Sequence, residues 1–218
     1  MKTITIAVLL PLLSSSLPAA NITVTGFDLN RTMPILFNLD GEERVAGAGV
    51  MTLSLDDSTV IDSLCADLFE GVNFYETYAA LSINATDYLP TGGAAAWLLA
   101  TYLPSLETAV EGAALQLAIW DVLHDGGDGF NAGRIQASEY TDTSVLELSQ
   151  EWVTASGGKS STLAYVFVPP SGGINFQEQL YLSRSTQYDP PSDVPEPGTT
   201  ALMSVGLAAV AFGAWRRR

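Results

Sequence analysis

The chain has 218 residues, with 9 Lys and Arg against 24 Asp and Glu, a formal net charge of −15, one Cys and one His. That length suits one domain with short appendages, and the acidic balance excludes a nucleic-acid binder, which needs a basic stripe to meet phosphates. A lone cysteine excludes an intrachain disulfide framework and any Cys-rich zinc site.

Residues 1–20 read as a secretory signal peptide. Lys2 supplies the positive start, Ile4–Leu13 the apolar run and Ala19-Ala20 the small-residue exit. The working domain is expected over residues 21–186. Asn21–Leu29 and Arg44–Leu55 alternate or are β-branched and read as strands, with a turn at Asp40-Gly41 between them. Val60–Phe69 and Val72–Tyr78 are further strand candidates, joined at Glu70-Gly71. The period then changes: Ala94–Tyr102 and Ser105–Asp125 read as helices, the second closed by Gly126-Gly127. Ser144–Ser156 is a third helix, with Ser144 and Glu147 as a capping box. Strands resume at Thr162–Val168 and Gln179–Ser183. This order predicts an α+β fold: an antiparallel β-sandwich or barrel-like sheet with a helical insertion.

Residues 187–194 are rich in Pro and Asp and read as a linker. Beyond them Ala201–Trp215 carries no charge and is followed at once by Arg216, Arg217 and Arg218. The run predicts a transmembrane helix with its arginines in the cytoplasm and the body outside. Pro195-Glu196-Pro197, then this helix, then the arginine cluster resembles the PEP-CTERM sorting signal over residues 195–218. The resemblance implies an exosortase as partner, membrane anchoring through the helix before processing, and release toward the surface or exopolysaccharide matrix of a Gram-negative bacterium. Without Lys2 and the three terminal arginines the body is more acidic still, and Lys159 is its sole lysine.

Two residues of the body stand out. Gln116 lies on the apolar side of the long helix, between Ala113 and Trp120, with Gly112 and Ala113 one turn back leaving room for a close neighbour. A glutamine facing a core needs partners, since an unpaired amide there costs about 1–3 kcal/mol; neighbouring backbone is the simplest source. Cys65 shares a strand face with Ile61, Ser63, Asp67 and Phe69. It is either a small buried hydrophobe or, in an exported protein, an exposed liability to oxidation. Catalysis by a Cys65 thiolate is disfavoured, because no Lys or Arg falls between Val45 and Gly133 and Asp67 opposes ionisation. His124, the one available base, sits eight residues past Gln116 at the helix end.

Three blocks, Cys65–Leu68, Ala95–Tyr102 and Ala113–Trp120, resemble the thioester domain of bacterial surface adhesins and PEP-CTERM proteins. The resemblance implies an internal thioester between Cys65 and Gln116, formed with loss of ammonia, with Asp67, Trp97, Tyr102 and Trp120 supporting the site. It also implies single-use covalent capture of amine nucleophiles at a surface or in a matrix, without enzymatic turnover or a cofactor. Leu115 replaces a frequent threonine of the family, and Ala66-Asp67 replaces its tryptophan after the cysteine. The alternatives are a non-covalent, exopolysaccharide-associated structural protein and a Cys–His hydrolase. No metal is expected, although Asp125, Asp128 and Asn131 fall in a Gly-rich segment that could cup calcium without EF-hand spacing.

Overall fold

A computed structural model of the chain describes residues 19–56 and 58–183. Most of the leader, the linker and the sorting segment, with its expected transmembrane helix, lie outside the described residues. Among the described residues no helix is long and apolar enough to cross a membrane.

Strand β1 (Ala19–Leu39) and strand β2 (Glu42–Leu55) form a long hairpin around Asp40-Gly41. Both turn residues have positive φ, 55° and 82°, the conformation whose twist matches flanking antiparallel strands. Strand β1 begins at Ala19, two residues inside the expected leader, and runs ten residues past the expected end at Leu29. Its alternation breaks near Asn30-Arg31, but the ladder continues through register shifts between Val24 and Gly26 and between Phe27 and Thr32. Bulges of this kind carry a strand across an interruption in its pattern.

Strands β3 (Val60–Cys65) and β4 (Thr77–Asn84) bracket an irregular segment where the sequence predicted more strand. A short strand β5 (Ile135–Ala137) adds to the far end of β1, and β6 (Ala164–Val168) and β7 (Gln179–Leu182) complete the sheet. The order β2-β3-β7-β6-β4-β1, with β1 also paired to β2, closes six antiparallel strands into a ring. Closure leaves few free edges and encloses a core. The α+β expectation, with helices inserted into an antiparallel sheet, therefore describes the fold.

The insertion comprises α1 (Ala85–Tyr88), α2 (Gly92–Tyr102), a 3-10 turn at Leu103–Ser105, α3 (Ala109–Asp125) and α4 (Thr143–Ser156). Helix α3 starts four residues later than predicted, because Thr108 and Glu111 form a reciprocal capping box at that point. Its end is as read: Gly126 takes the left-handed conformation, φ 75°. The N-terminus of α4 is capped by Asp142, which accepts from the Ser144 and Val145 N–H groups, rather than by Ser144 with Glu147.

Helix α3 packs on β1 and β2 and against α2 and α4, so every residue from Gly112 to Val122 is buried instead of a single stripe. Gly112 permits this seat. A Cβ there would overlap the Arg31 carbonyl oxygen of β1, the close approach that its small size had suggested.

Candidate functional site

Strand alternation places Ile61, Ser63 and Cys65 on the buried face of β3. The strand stops at Cys65, so Asp67 and Phe69 do not share that face, and Phe69 is exposed. Pairing with β2 ends at Ser63, opposite Met51. Beyond it the side chain of Gln116, fully buried on α3, serves the Cys65 main chain as a neighbouring strand would. Its Oε1 accepts from the Cys65 N–H at 2.9 Å, and its Nε2 donates to the Cys65 carbonyl at 2.9 Å. Residues 51 positions apart are thereby held side by side.

The thiol has a second glutamine as its partner. Cys65 Sγ donates to Gln177 Oε1 at 2.8 Å. Gln177 Nε2 donates to the Asp67 and Glu70 carbonyls, at 3.2 and 2.9 Å, and so clasps the irregular segment after β3. Behind it Gln179 Nε2 donates to Gln177 Oε1, and Ser63 Oγ donates to Gln179 Oε1. Burial pushes the Cys65 thiol well above its ordinary range, and the nearby Asp67 charge adds to the rise. The sulfur is therefore a neutral thiol at physiological pH. His124 does not act on it: its Nε2 lies 2.8 Å from the Ala66 carbonyl oxygen, and burial lowers its pKa.

Cys65 opens on a cleft of about 320 Å³ whose walls include Phe27, Phe37, Phe69, Trp120 and Gln177. Trp120 stacks on Phe37 with ring centroids 5.6 Å apart, and its buried Nε1 has no hydrogen-bond partner among the described residues. Asp67 Oδ1 accepts from the Phe69 N–H at 2.7 Å and so shapes the loop at the cleft. Phe69 in turn packs edge-on to His124 and beneath the Arg134 guanidinium. Of the four expected supporting residues, Trp120 lines the cleft and Asp67 holds its loop. Trp97 and Tyr102 are elsewhere: Tyr102 stacks on Trp152 of α4 at 4.2 Å and meets the edge of Trp97.

A second cluster begins at the residue after Trp120. One carboxylate oxygen each from Asp121, Asp125 and Asp128 fall within 4.8 Å of one another. Asp121 is fully buried. Burial pushes its carboxyl up to about 7, opposed by the bond from the Gly129 N–H and helped by the charges of Asp128 and Asp125. Asn131, expected with Asp125 and Asp128, instead faces another cleft with Phe130, Leu146 and Gln150.

Sequence reasoning missed Gln177, Gln179 and Asp121. The two glutamines are two apart in a segment that enters β7, a period-2 signal of a shared polar face. Asp121 and Asp125 are one helical turn apart, the spacing that puts two ligands on one face. The expected sorting residues Pro195, Glu196, Pro197, Arg216, Arg217 and Arg218 lie outside the described residues.

No curated protein and no solved structure matches the chain. The family model of the PEP-CTERM protein-sorting motif matches residues 193–218. That motif implies an exosortase as the processing partner and an exported protein, held transiently in the membrane and then released to the cell surface.

Proposed function

We propose that this surface protein captures amines covalently through an internal thioester between Cys65 Sγ and Gln116 Cδ. The observation that carries the reading is the Gln116 carboxamide held on Cys65 by two hydrogen bonds, beside a cleft that reaches Cys65. Formation would join Sγ to Cδ, with the thiol proton and the amide nitrogen leaving as ammonia. Attack by an unprotonated amine at Cδ would then form an amide and return the proton to Sγ as the thiol. Each chain reacts once.

Several features support this reading. Phe27, Phe37, Leu68 and Trp120 on the walls of the cleft would limit water at the bond, while the cleft would admit a nucleophile of modest size. The neutral buried thiol and the engagement of His124 with Ala66 speak against a thiolate–imidazole hydrolase. A link across 51 positions would also stabilise the fold by roughly 4 kcal/mol, by analogy with the chain-entropy model of a disulfide. With Lys159 the sole lysine of residues 21–194, the chain offers little competition from its own amines.

The same two hydrogen bonds also favour a second reading, a purely structural pairing in which the amide completes the end of β3. Intact mass of the exported protein separates the two. The thioester form is lighter than the processed sequence by one ammonia, and methylamine adds one molecule to it, with the label at Gln116. Cys65→Ala shows neither change. An undiminished mass would leave the structural reading.

A further inference from the structure

We propose that Asp121, Asp125 and Asp128 hold a calcium ion at the C-terminal end of α3. The inference is independent of the thioester. It begins with Asp121, which is 0% exposed and yet has Oδ1 without a hydrogen-bond partner among the described residues. Its other oxygen accepts one long bond, 3.4 Å, from the Gly129 N–H. Buried carboxylate oxygens are ordinarily paired, because an unpaired one retains most of its desolvation cost. The same Asp121 carboxylate contributes one of its oxygens to the convergence with Asp125 and Asp128.

Among the described residues no ion pair reaches these three carboxylates. Arg134 feels the Asp125 charge, but its guanidinium is committed to Asp40 through two 2.8 Å bonds. His124 is turned to the Ala66 carbonyl. The C-terminal end of α3 adds the negative pole of the helix to three carboxylates. A bound cation removes all of these repulsions together.

Size and chemistry select the ion. Ligand oxygens of calcium lie about 2.3–2.6 Å from the metal, so two of them on one ion are at most about 5 Å apart. The observed limit of 4.8 Å fits one shared centre. Three carboxylates and no nitrogen or sulfur make a hard donor set suited to calcium or magnesium. The following loop favours calcium, which tolerates irregular coordination completed by main-chain oxygens and water. Gly126, Gly127, Gly129 and Gly133 all have positive φ, between 75° and 87°, and wrap residues 126–133 around the helix end. The loop is tied there by the Arg134 and Ile135 N–H groups, which donate to Asp125 Oδ2 at 2.6 and 2.9 Å. Exposed Asp128 leaves the site open on one side.

Calcium binding to the chelator-stripped full chain tests this, by calorimetry and by the shift in thermal midpoint. The expected result is one ion per chain, with a dissociation constant on the order of 10⁻⁴–10⁻³ M as in extracellular modules, and a rising midpoint. Magnesium should give a smaller shift. Asp128→Asn, at an exposed position that does not threaten folding, should weaken binding about tenfold or more by removing one charged ligand. Asp121→Asn should remove the calcium-dependent shift. The proposal is overturned by no binding at about 10 mM calcium, well above the range of such sites. It is equally overturned by binding that survives unchanged in both variants, since that belongs to the general acidic surface.

Discussion

Gln116 and Asp121 are both fully buried polar side chains on one helix, five positions apart, and their surroundings treat them in opposite ways. The Gln116 amide meets one donor and one acceptor, both from Cys65, at 2.9 Å. Asp121 receives one long bond and leaves an oxygen without a partner. A neutral amide carries both donors and an acceptor, so the N–H and carbonyl at the end of a strand can give each of its polar atoms a partner. A carboxylate only accepts, and the loop supplies one weak donor. Each polar atom of the first residue has a partner within the fold, while the second calls for a proton or a cation from outside. Burial alone therefore does not distinguish a polar group that the fold itself partners from one that calls for an ion; the match of its valences does.

Disturbing the seat of α3 should break both arrangements together and give the largest effect. Gly112→Val drives a branched side chain into the Arg31 carbonyl. Chemical denaturation should show a loss of about 4–5 kcal/mol, with much of the chain unfolded without denaturant.

Next in size is the amide. Gln116→Leu keeps the volume but strips both partners from the Cys65 main chain, at an expected cost of about 2–4 kcal/mol in the same assay if no covalent link exists, and roughly 4 kcal/mol more if one does. Cys65→Ala keeps those two hydrogen bonds. It should cost about 1 kcal/mol if no covalent link exists and roughly 4 kcal/mol more if one does.

The smallest effect should have the opposite sign. With chelator present, Asp121→Asn removes a buried charge and should stabilise the domain at neutral pH by about 1–2 kcal/mol. The pH dependence follows from the same group. Its folded pKa, about 7, lies above the ordinary 3.8, so the folded state binds the proton more tightly than the unfolded state. Stability therefore rises as pH falls from about 7 toward 4, and the gain is complete below the unfolded value. Asp121→Asn should lose this rise. A Gln116→Leu variant that is neutral, or an Asp121→Asn variant that is strongly destabilised, would reverse the contrast.

Much of this was legible before folding. The Asp40-Gly41 turn, the strand and helix alternation, and the exit of α3 at Gly126 are local signals, and the structure follows them. Local signals failed where distant chain supplied the missing partner. The length of β1 depends on β2 carrying it past Asn30 by register shifts. Residues 72–76 are apolar enough for a strand, but β4 begins only at Thr77, where pairing with β1 is available. At the site, the sequence singled out Cys65 and Gln116, yet the spacing of Gln177 and Gln179 did not tell that Gln177 reaches the thiol from 112 positions away. Trp97 and Tyr102 share aromatic character with Trp120, and only packing separates the cleft residue from the two that join α2 to α4.

By itself the sequence determined the acidic character of the chain, its sorting motif, and the alternation of strand and helix, because each is written in composition or in neighbours a few residues apart. The tertiary structure decided which polar groups meet. Closing six strands into a ring and laying α3 across β1 and β2 brings Gln116 to Cys65 and gathers Asp121 with the loop after it. Such contacts join chain positions whose separation carries no periodic signal, and only the shared core fixes them.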